Sequence, residues 1–185
     1  MSGARFHRLL VPGRFQPLHR GHLKTIDYAL GLSEKVIVVI GSAQESFTLA
    51  NPLTAGERFE ILELAFEEAY GSGWAHRISI VPVLDIQMNK VWVQYLRQLL
   101  PRFDGVVSGN QLVLALFEDM GLKAIKPPLY RRDQCNGTII RRLVIEGDKR
   151  WRDCIPAPVL EKLLELGFEE RLKRIASDYS LGKGP

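Results

Sequence analysis

Cysteine is scarce in this 185-residue chain, with only Cys135 and Cys154 present. Two are too few for a disulfide framework, and their spacing matches no metal site. Read as isolated thiols, they fit a reducing compartment. Long apolar runs are missing as well: the stretch Val36–Ile40 falls far short of the ~20 residues that span a bilayer. Met1–Arg5 carries no apolar segment of a secretory leader. The expectation is a cytoplasmic chain without a membrane partner. Basic runs are limited to pairs such as Arg131-Arg132 and Arg141-Arg142, and aromatic residues do not alternate with them. Nucleic-acid binding is therefore not expected, although a formal net charge of +4 suits some polyanionic partner. Neither G-x-x-x-x-G-K-[ST] nor G-x-G-x-x-G occurs, which excludes the P-loop and the usual dinucleotide fingerprint. There is no internal repeat, no low-complexity tract and no carboxylate cluster that would cage a metal.

What is present is an ordinary globular balance, 46% apolar and 25% charged, in a length that suits one domain with a substantial core. Strand and helix patterns alternate. Arg8–Val11 reads as a strand and Leu23–Leu30 as a helix. Lys35–Ile40 is apolar and β-branched without alternation, the mark of a parallel strand buried on both faces. Thr54 and Glu57 form a capping box ahead of a helix with Phe59, Leu62, Phe66 and Ala69 on one face. Gly71-Ser72-Gly73 ends that helix. Ile78–Val83, Gly105–Ser108 and Lys123–Lys126 are further strands. The helices between them carry Trp92, Leu96 and Leu99, then Val113, Leu116 and Phe117. This order predicts a three-layer α/β/α fold with a parallel sheet and right-handed crossovers. Beyond residue 150 only helices are expected, one with Val159, Leu163 and Leu166, another with Leu172 and Ile175, and Gly167 between them. The division is 1–150 for the α/β domain and 151–185 for a small helical extension packed on it. The tail from residue 180 onward should fray.

The polar chemistry concentrates in Val11–His22. A strand ends at Pro12-Gly13, a loop follows, and a helix begins after Gly21. Open α/β sheets bind ligands beyond the carboxyl ends of their strands. The loop side chains Arg14, Gln16, His19, Arg20 and His22 all donate hydrogen bonds, and none is an acid. Such a loop, ending on a helix N-terminus, suits an anion, phosphate above all. The helix dipole disfavours a charged imidazole there, so neutral rings are expected, each still donating one N–H. A second constellation is Asn136-Gly137-Thr138-Ile139-Ile140-Arg141-Arg142. Asn136 or Thr138 caps a helix, Ile140 and Val144 face the core, and Arg141 reaches past the open helix end.

Gly13-Arg14-Phe15-Gln16-Pro17 followed by His19-Arg20-Gly21-His22 resembles the signature of the HxGH nucleotidyltransferases. Asn136–Arg141 resembles the S-G-T-x-x-R block that pairs with it in adenylyltransferases. In matching order stand Gly41-Ser42-Ala43-Gln44, Asn51–Arg58, Asp85-Ile86, Asn89–Val93, Ser108-Gly109-Asn110, and Gly147–Trp151 before Ile155-Pro156. Across residues 8–175 the chain is similar to the archaeal-type nicotinamide-mononucleotide adenylyltransferases. The resemblance implies a Rossmann-like sheet of the nucleotidyltransferase type. It also implies attack by the 5′-phosphate of nicotinamide mononucleotide (NMN) on the α-phosphorus of ATP, giving NAD and pyrophosphate. It assigns catalysis to His19, His22 and Arg141. ATP would lie on Gly13, Arg14, Phe15, Gln16, His19, His22, Gly109, Asn110, Asn136, Gly137, Thr138 and Arg141. NMN would lie on Gly41, Ser42, Asp85, Asn89 and Trp92, with Trp92 stacked on the nicotinamide ring. Read from position alone, Trp92 is a core residue. No dedicated metal site is implied; Mg²⁺ would arrive with ATP. A homo-oligomer is also implied. The chain departs from the family in carrying Cys135 and Asn136 where Tyr and Ser are usual, though Asn still caps and donates.

Two other readings compete. A sister HxGH enzyme would act on phosphopantetheine, flavin mononucleotide or a polyol phosphate, and the Asp85–Asn89–Trp92 segment argues against it. A regulator that binds nucleotide without turnover is opposed by two nearly intact phosphate blocks.

Overall fold

The computed structural model describes residues 6–180 apart from 87, 129 and 132, so Met1–Arg5 and the tail 181–185 lie outside the described residues. Five strands, β1 (Phe6–Gly13), β2 (Ser33–Ile40), β3 (Ile78–Pro82), β4 (Gly105–Val107) and β5 (Lys123–Ile125), form one sheet in the order β3-β2-β1-β4-β5. Every pairing is parallel. Helices α1 (Arg20–Leu32), α2 (Ala55–Tyr70), α3 (Asn89–Leu99) and α4 (Gln111–Asp119) connect the strands. Helices α5 (Gly137–Glu146), α6 (Ala157–Glu165) and α7 (Phe168–Ser180) follow the last one. Gly13 pairs with Ile40, and Ile40 with Pro82, so three strands end level where their loops begin.

Successive strand residues point to opposite faces. Leu9, Val11, Val36, Val38 and Ile40 enter one core, while Leu10, Ile37, Val39 and Val106 enter a smaller one against α3 and α4. This is why Lys35–Ile40 shows no alternation: helices cover the sheet on both sides. Trp151, Val159, Leu163, Phe168 and Leu172 from the C-terminal part join the larger core. The three-layer expectation therefore holds.

Local signals are met at the predicted places. Thr54 Oγ1 accepts from Glu57 N at 3.2 Å, and Glu57 Oε2 accepts from Thr54 N at 2.8 Å. Gly71 ends α2 with φ 72°, a conformation open to glycine at little steric cost. The buried stripe of α2 is Ile61, Leu62, Ala65 and Phe66, whereas Ala69 is exposed and Phe59 only half-buried. Leu99 on α3 is likewise exposed; Val93 and Leu96 carry that helix.

One expectation is overturned. Cys135 and Cys154, 19 positions apart in sequence, form a disulfide with Cα atoms 5.3 Å apart. The 3-10 turn Lys149–Cys154 packs back against α5 and brings Cys154 beside the start of that helix. Sequence spacing does not disclose such a return. Closing a loop of this length restricts the unfolded chain and stabilises the fold by about 3 kcal/mol. The inference from free thiols to a reducing compartment is withdrawn with it. Among the described residues, no helix is long and apolar enough to cross a membrane.

Candidate active site

The strand order turns between β1 and β4, and the loops leaving these neighbours diverge there, as at the switch point of other open α/β sheets. The crevice encloses about 730 Å³ and runs into a recess of about 460 Å³. Arg14, His22, Asn136 and Gly137 line both. Gly13 and His19 reach the cleft from the β1 loop, Gly41 and Ser42 from the end of β2, Asp85, Asn89 and Trp92 from the β3–α3 segment, and Gly109 and Asn110 from the β4–α4 turn. Phe15, Gln16, Thr138 and Arg141 line the recess. The residues the resemblance assigns to ATP and NMN thus all line one or other of these adjoining cavities. Arg20 turns away from it, donating Nε–H to the Asp153 carbonyl at 3.3 Å.

His19 and His22 stack, with ring centroids 3.7 Å apart and planes at 28°. The Phe15 ring supports His22 at 4.7 Å. A Cβ on Gly21 would lie 3.0 Å from the His19 ring, so glycine between the two histidines is what lets the ring fold back. His19 N donates to His22 Nδ1 at 3.3 Å, which leaves Nε2 to carry the proton of a neutral ring. Burial pushes His19 down to about 4. It pushes His22 well below the usual histidine range, and His19 adds to the effect. Both rings are neutral at pH 7, as the dipole argument requires.

This has a consequence for acid stability. The unfolded chain takes up the His19 proton near pH 6.5, while the folded chain refuses it until about pH 4. Stability is therefore lost as pH falls through that window, by about 3 kcal/mol for His19 alone. Melting temperatures should drop between those two pH values, and His19→Gln should flatten part of the drop. A wild-type melt that stays level across the window would contradict the burial argument.

Arg141 is buried, donating Nη1–H to the Gln16 carbonyl at 2.7 Å and Nη2–H to Thr138 Oγ1 at 3.4 Å. Burial first, and then the nearby Arg14 charge, lower its pKa to about 10. Among the described residues neither Arg14 nor Arg141 pairs with a carboxylate. Two guanidinium groups beside the N-terminus of α5, neither paired to an acid among the described residues, have the chemistry that suits an anion. Asn136, not Thr138, caps that helix, its Oδ1 accepting from Ile139 N at 3.0 Å. A Cβ on Gly137 would stand 3.1 Å from Arg141 Nη1 and 3.2 Å from the Gln16 carbonyl, so this glycine admits the bond between them. The Gln16 amide is engaged elsewhere: Nε2 donates to the Leu53 carbonyl at 2.8 Å and Oε1 accepts from Leu53 N at 2.9 Å. Gln16 thus shapes the loop through its side chain and anchors Arg141 through its main chain.

On the other side, Asp85 accepts from Ser42 N at 3.1 Å and from Ser42 Oγ at 2.5 Å. Its own N–H donates to Gln44 Oε1 at 3.0 Å. Trp92 is half-buried; it lines the cleft and meets Phe117 edge-on at 6.2 Å. It is both a core contact and a cleft wall. Sequence reasoning missed Ser108, Leu112, Val113, Leu116 and Tyr130, which also line the cleft. It gave Arg58 no role, although Arg58 stands in the Asn51–Arg58 block and falls on the stripe of Ile61, Leu62 and Ala65. No three His, Cys, Asp or Glu among the described residues are grouped for a metal. The recess offers N–H donors, which fit phosphate oxygens and not a bare cation.

Residues 10–143 match the cytidylyltransferase-like family model. The chain is 61% identical to a nicotinamide-nucleotide adenylyltransferase of Aeropyrum pernix over 168 residues, 91% of this chain and 96% of that protein. It is 43% identical to one of Pyrococcus abyssi, over 92% of this chain and 90% of the other. A solved bifunctional NMN adenylyltransferase/ADP ribose pyrophosphatase of Francisella tularensis, complexed with AMP and a manganese ion, shares the fold with a TM-score of 0.76 at 22% identity. That match covers 95% of this chain and 53% of the other. With both phosphate blocks in one cleft and identity running over nearly the whole length, the chain belongs to the cytidylyltransferase-like family, among the nicotinamide-nucleotide adenylyltransferases.

Proposed function

We propose that the protein transfers the adenylyl group of ATP to NMN, forming NAD and pyrophosphate. The observation that carries this reading is one cleft with the Arg14 and Arg141 guanidinium groups, neither paired to a carboxylate among the described residues, at one end and the Asp85–Asn89–Trp92 segment at the other. In the reaction an oxygen of the NMN 5′-phosphate bonds to the α-phosphorus of ATP. The bond from that phosphorus to the bridging oxygen breaks, and pyrophosphate leaves with the electron pair. The attacking phosphate is already a nucleophile, so no general base is needed. The protein's work is to align the reactants and to neutralise charge as it builds. His22 Nε2–H and the Arg14 and Arg141 guanidinium groups are the donors for that charge. Gly13, His19, Gly109, Asn110, Asn136, Gly137 and Thr138 complete the ATP side, and Gly41 and Ser42 the NMN side. Mg²⁺ enters as part of the MgATP substrate, held by phosphate and water. The same reading has the enzyme working in the cytoplasm as a homo-oligomer, without nucleic-acid or membrane partners.

The test is pyrophosphate release from ATP in the presence of NMN, phosphopantetheine, flavin mononucleotide or a polyol phosphate in turn. Release with NMN alone is expected; release with another acceptor only would replace this reading with a sister enzyme. Trp92→Ala sharpens it. If the indole stacks on the pyridinium, NMN affinity should fall by about 1–2 kcal/mol, roughly tenfold, with ATP affinity unchanged. The Phe117 contact predicts a lower melting temperature as well, so the two substrates are titrated separately on folded protein. Unchanged NMN affinity would remove Trp92 from the site.

A further inference from the structure

Arg58 is fully buried, yet it forms no ion pair among the described residues. It stands in the first turn of α2, where the helix dipole opposes a cation. Burial lowers its pKa to about 10, so it stays charged at neutral pH. Its guanidinium is satisfied entirely by main-chain carbonyls. Nη1 donates to Arg14 O at 3.1 Å and to Gly41 O at 2.8 Å. Nη2 donates to Ser42 O at 3.0 Å and to Glu45 O at 3.5 Å, and Nε to Thr54 O at 3.1 Å. These carbonyls come from two loops that leave different strands, one carrying Arg14 and the other Gly41 and Ser42. One further bond joins the loops directly, from Gly41 N to Gly13 O at 2.9 Å.

We propose that Arg58 is a positioning residue for adenylyl transfer: its planar fork ties the ATP loop after β1 to the NMN loop after β2 and sets the separation of the two substrates. The proposal rests on the reading that these loops hold the two reactants. A buried charge at a helix N-terminus that no carboxylate bonds directly, with Asp85 and Glu57 acting on it only through space, is a poor device for stability alone, because an apolar residue would fill the same stripe beside Ile61 and Leu62. An apolar residue would, however, leave the loop carbonyls buried and unbonded. Reaction requires the attacking oxygen within roughly 3–3.5 Å of the phosphorus, and a displacement of about 1 Å lowers the rate by about 10²-fold. Each loop holds its own substrate with its own groups. Loosening the tie should therefore spare both affinities and lower the chemical step.

The experiment compares Arg58→Lys and Arg58→Met with wild type. Lysine keeps the charge but lacks the fork; methionine keeps apolar volume. Assays are run on the protein with both substrates in sucrose, which favours the folded state. Activity is expressed per folded molecule, the folded fraction coming from melts. In both variants kcat should fall by at least about tenfold while KM for ATP and for NMN stays within about threefold. In a third variant, Arg58→Ala, added guanidinium at sub-denaturing concentration should restore part of kcat, where equal sodium chloride does not. Wild-type kcat per folded molecule in Arg58→Lys, or equal rises in both KM values without loss of kcat, would overturn the proposal. So would variants that stay unfolded in sucrose, since Arg58 would then hold the whole fold. The wild-type rate reports on the reaction and the ratio of variant to wild type on Arg58, so the two ideas fail separately.

Discussion

His22→Ala is expected to lower kcat by about 10²-fold or more while the fold survives. At the mouth of α1 the His22 ring packs on those of His19 and Phe15. Its Nδ1 accepts from His19 N, so Nε2–H is the group left to meet a phosphate oxygen. A neutral donor gains strength as charge builds on that oxygen, and little before. The loss should therefore appear in kcat more than in KM for ATP. Near-ultraviolet circular dichroism and a melt establish that the variant is folded. A folded variant with near-normal turnover would remove His22 from the chemistry.

Arg141→Lys should be nearly as damaging, with kcat/KM for ATP down by about 10²-fold. The guanidinium has two jobs that one ammonium cannot share. It bonds the Gln16 carbonyl at 2.7 Å, which fixes the loop, and it faces the recess beside Arg14. Arg142→Ala serves as the comparison. Arg142 is exposed and lies 3.8 Å from Glu146 on the surface of α5, and exposed pairs of this kind contribute little. Its loss should change kcat/KM by less than about threefold. Equal effects at the two positions would mean that the wrong arginine has been assigned.

Much of this was legible in the sequence because the signals are local. Val36–Ile40 announces a strand covered on both faces, Thr54 and Glu57 announce a helix start, and a loop of donors between a strand and a helix announces an anion. The order of the blocks, read as a resemblance, supplied the chemistry. What stayed hidden depends on chain segments far apart in sequence. Arg58 stands in the Asn51–Arg58 block, but its role shows only when its carbonyl partners, 44 and 17 residues away at Arg14 and Gly41, fold over it. Gln16 reads as a ligand contact, but its amide is taken by Leu53. The error over Cys135 and Cys154 has the same origin: only the return of the 3-10 turn brings the two sulfurs together.

That bridge encloses α5 whole. Residues 135 and 154 lie on either side of Gly137–Glu146, so the phosphate-facing helix belongs to a closed covalent ring. When such a helix loosens, its ends cannot drift apart, and the loosened ensemble is small. On the proposed function, less freedom is then left to lose when a triphosphate orders the helix start, and more of the gross attraction between Arg141 and phosphate would appear as net affinity. On the reading that the α5 start holds the triphosphate, the cystine acts on nucleotide binding through entropy.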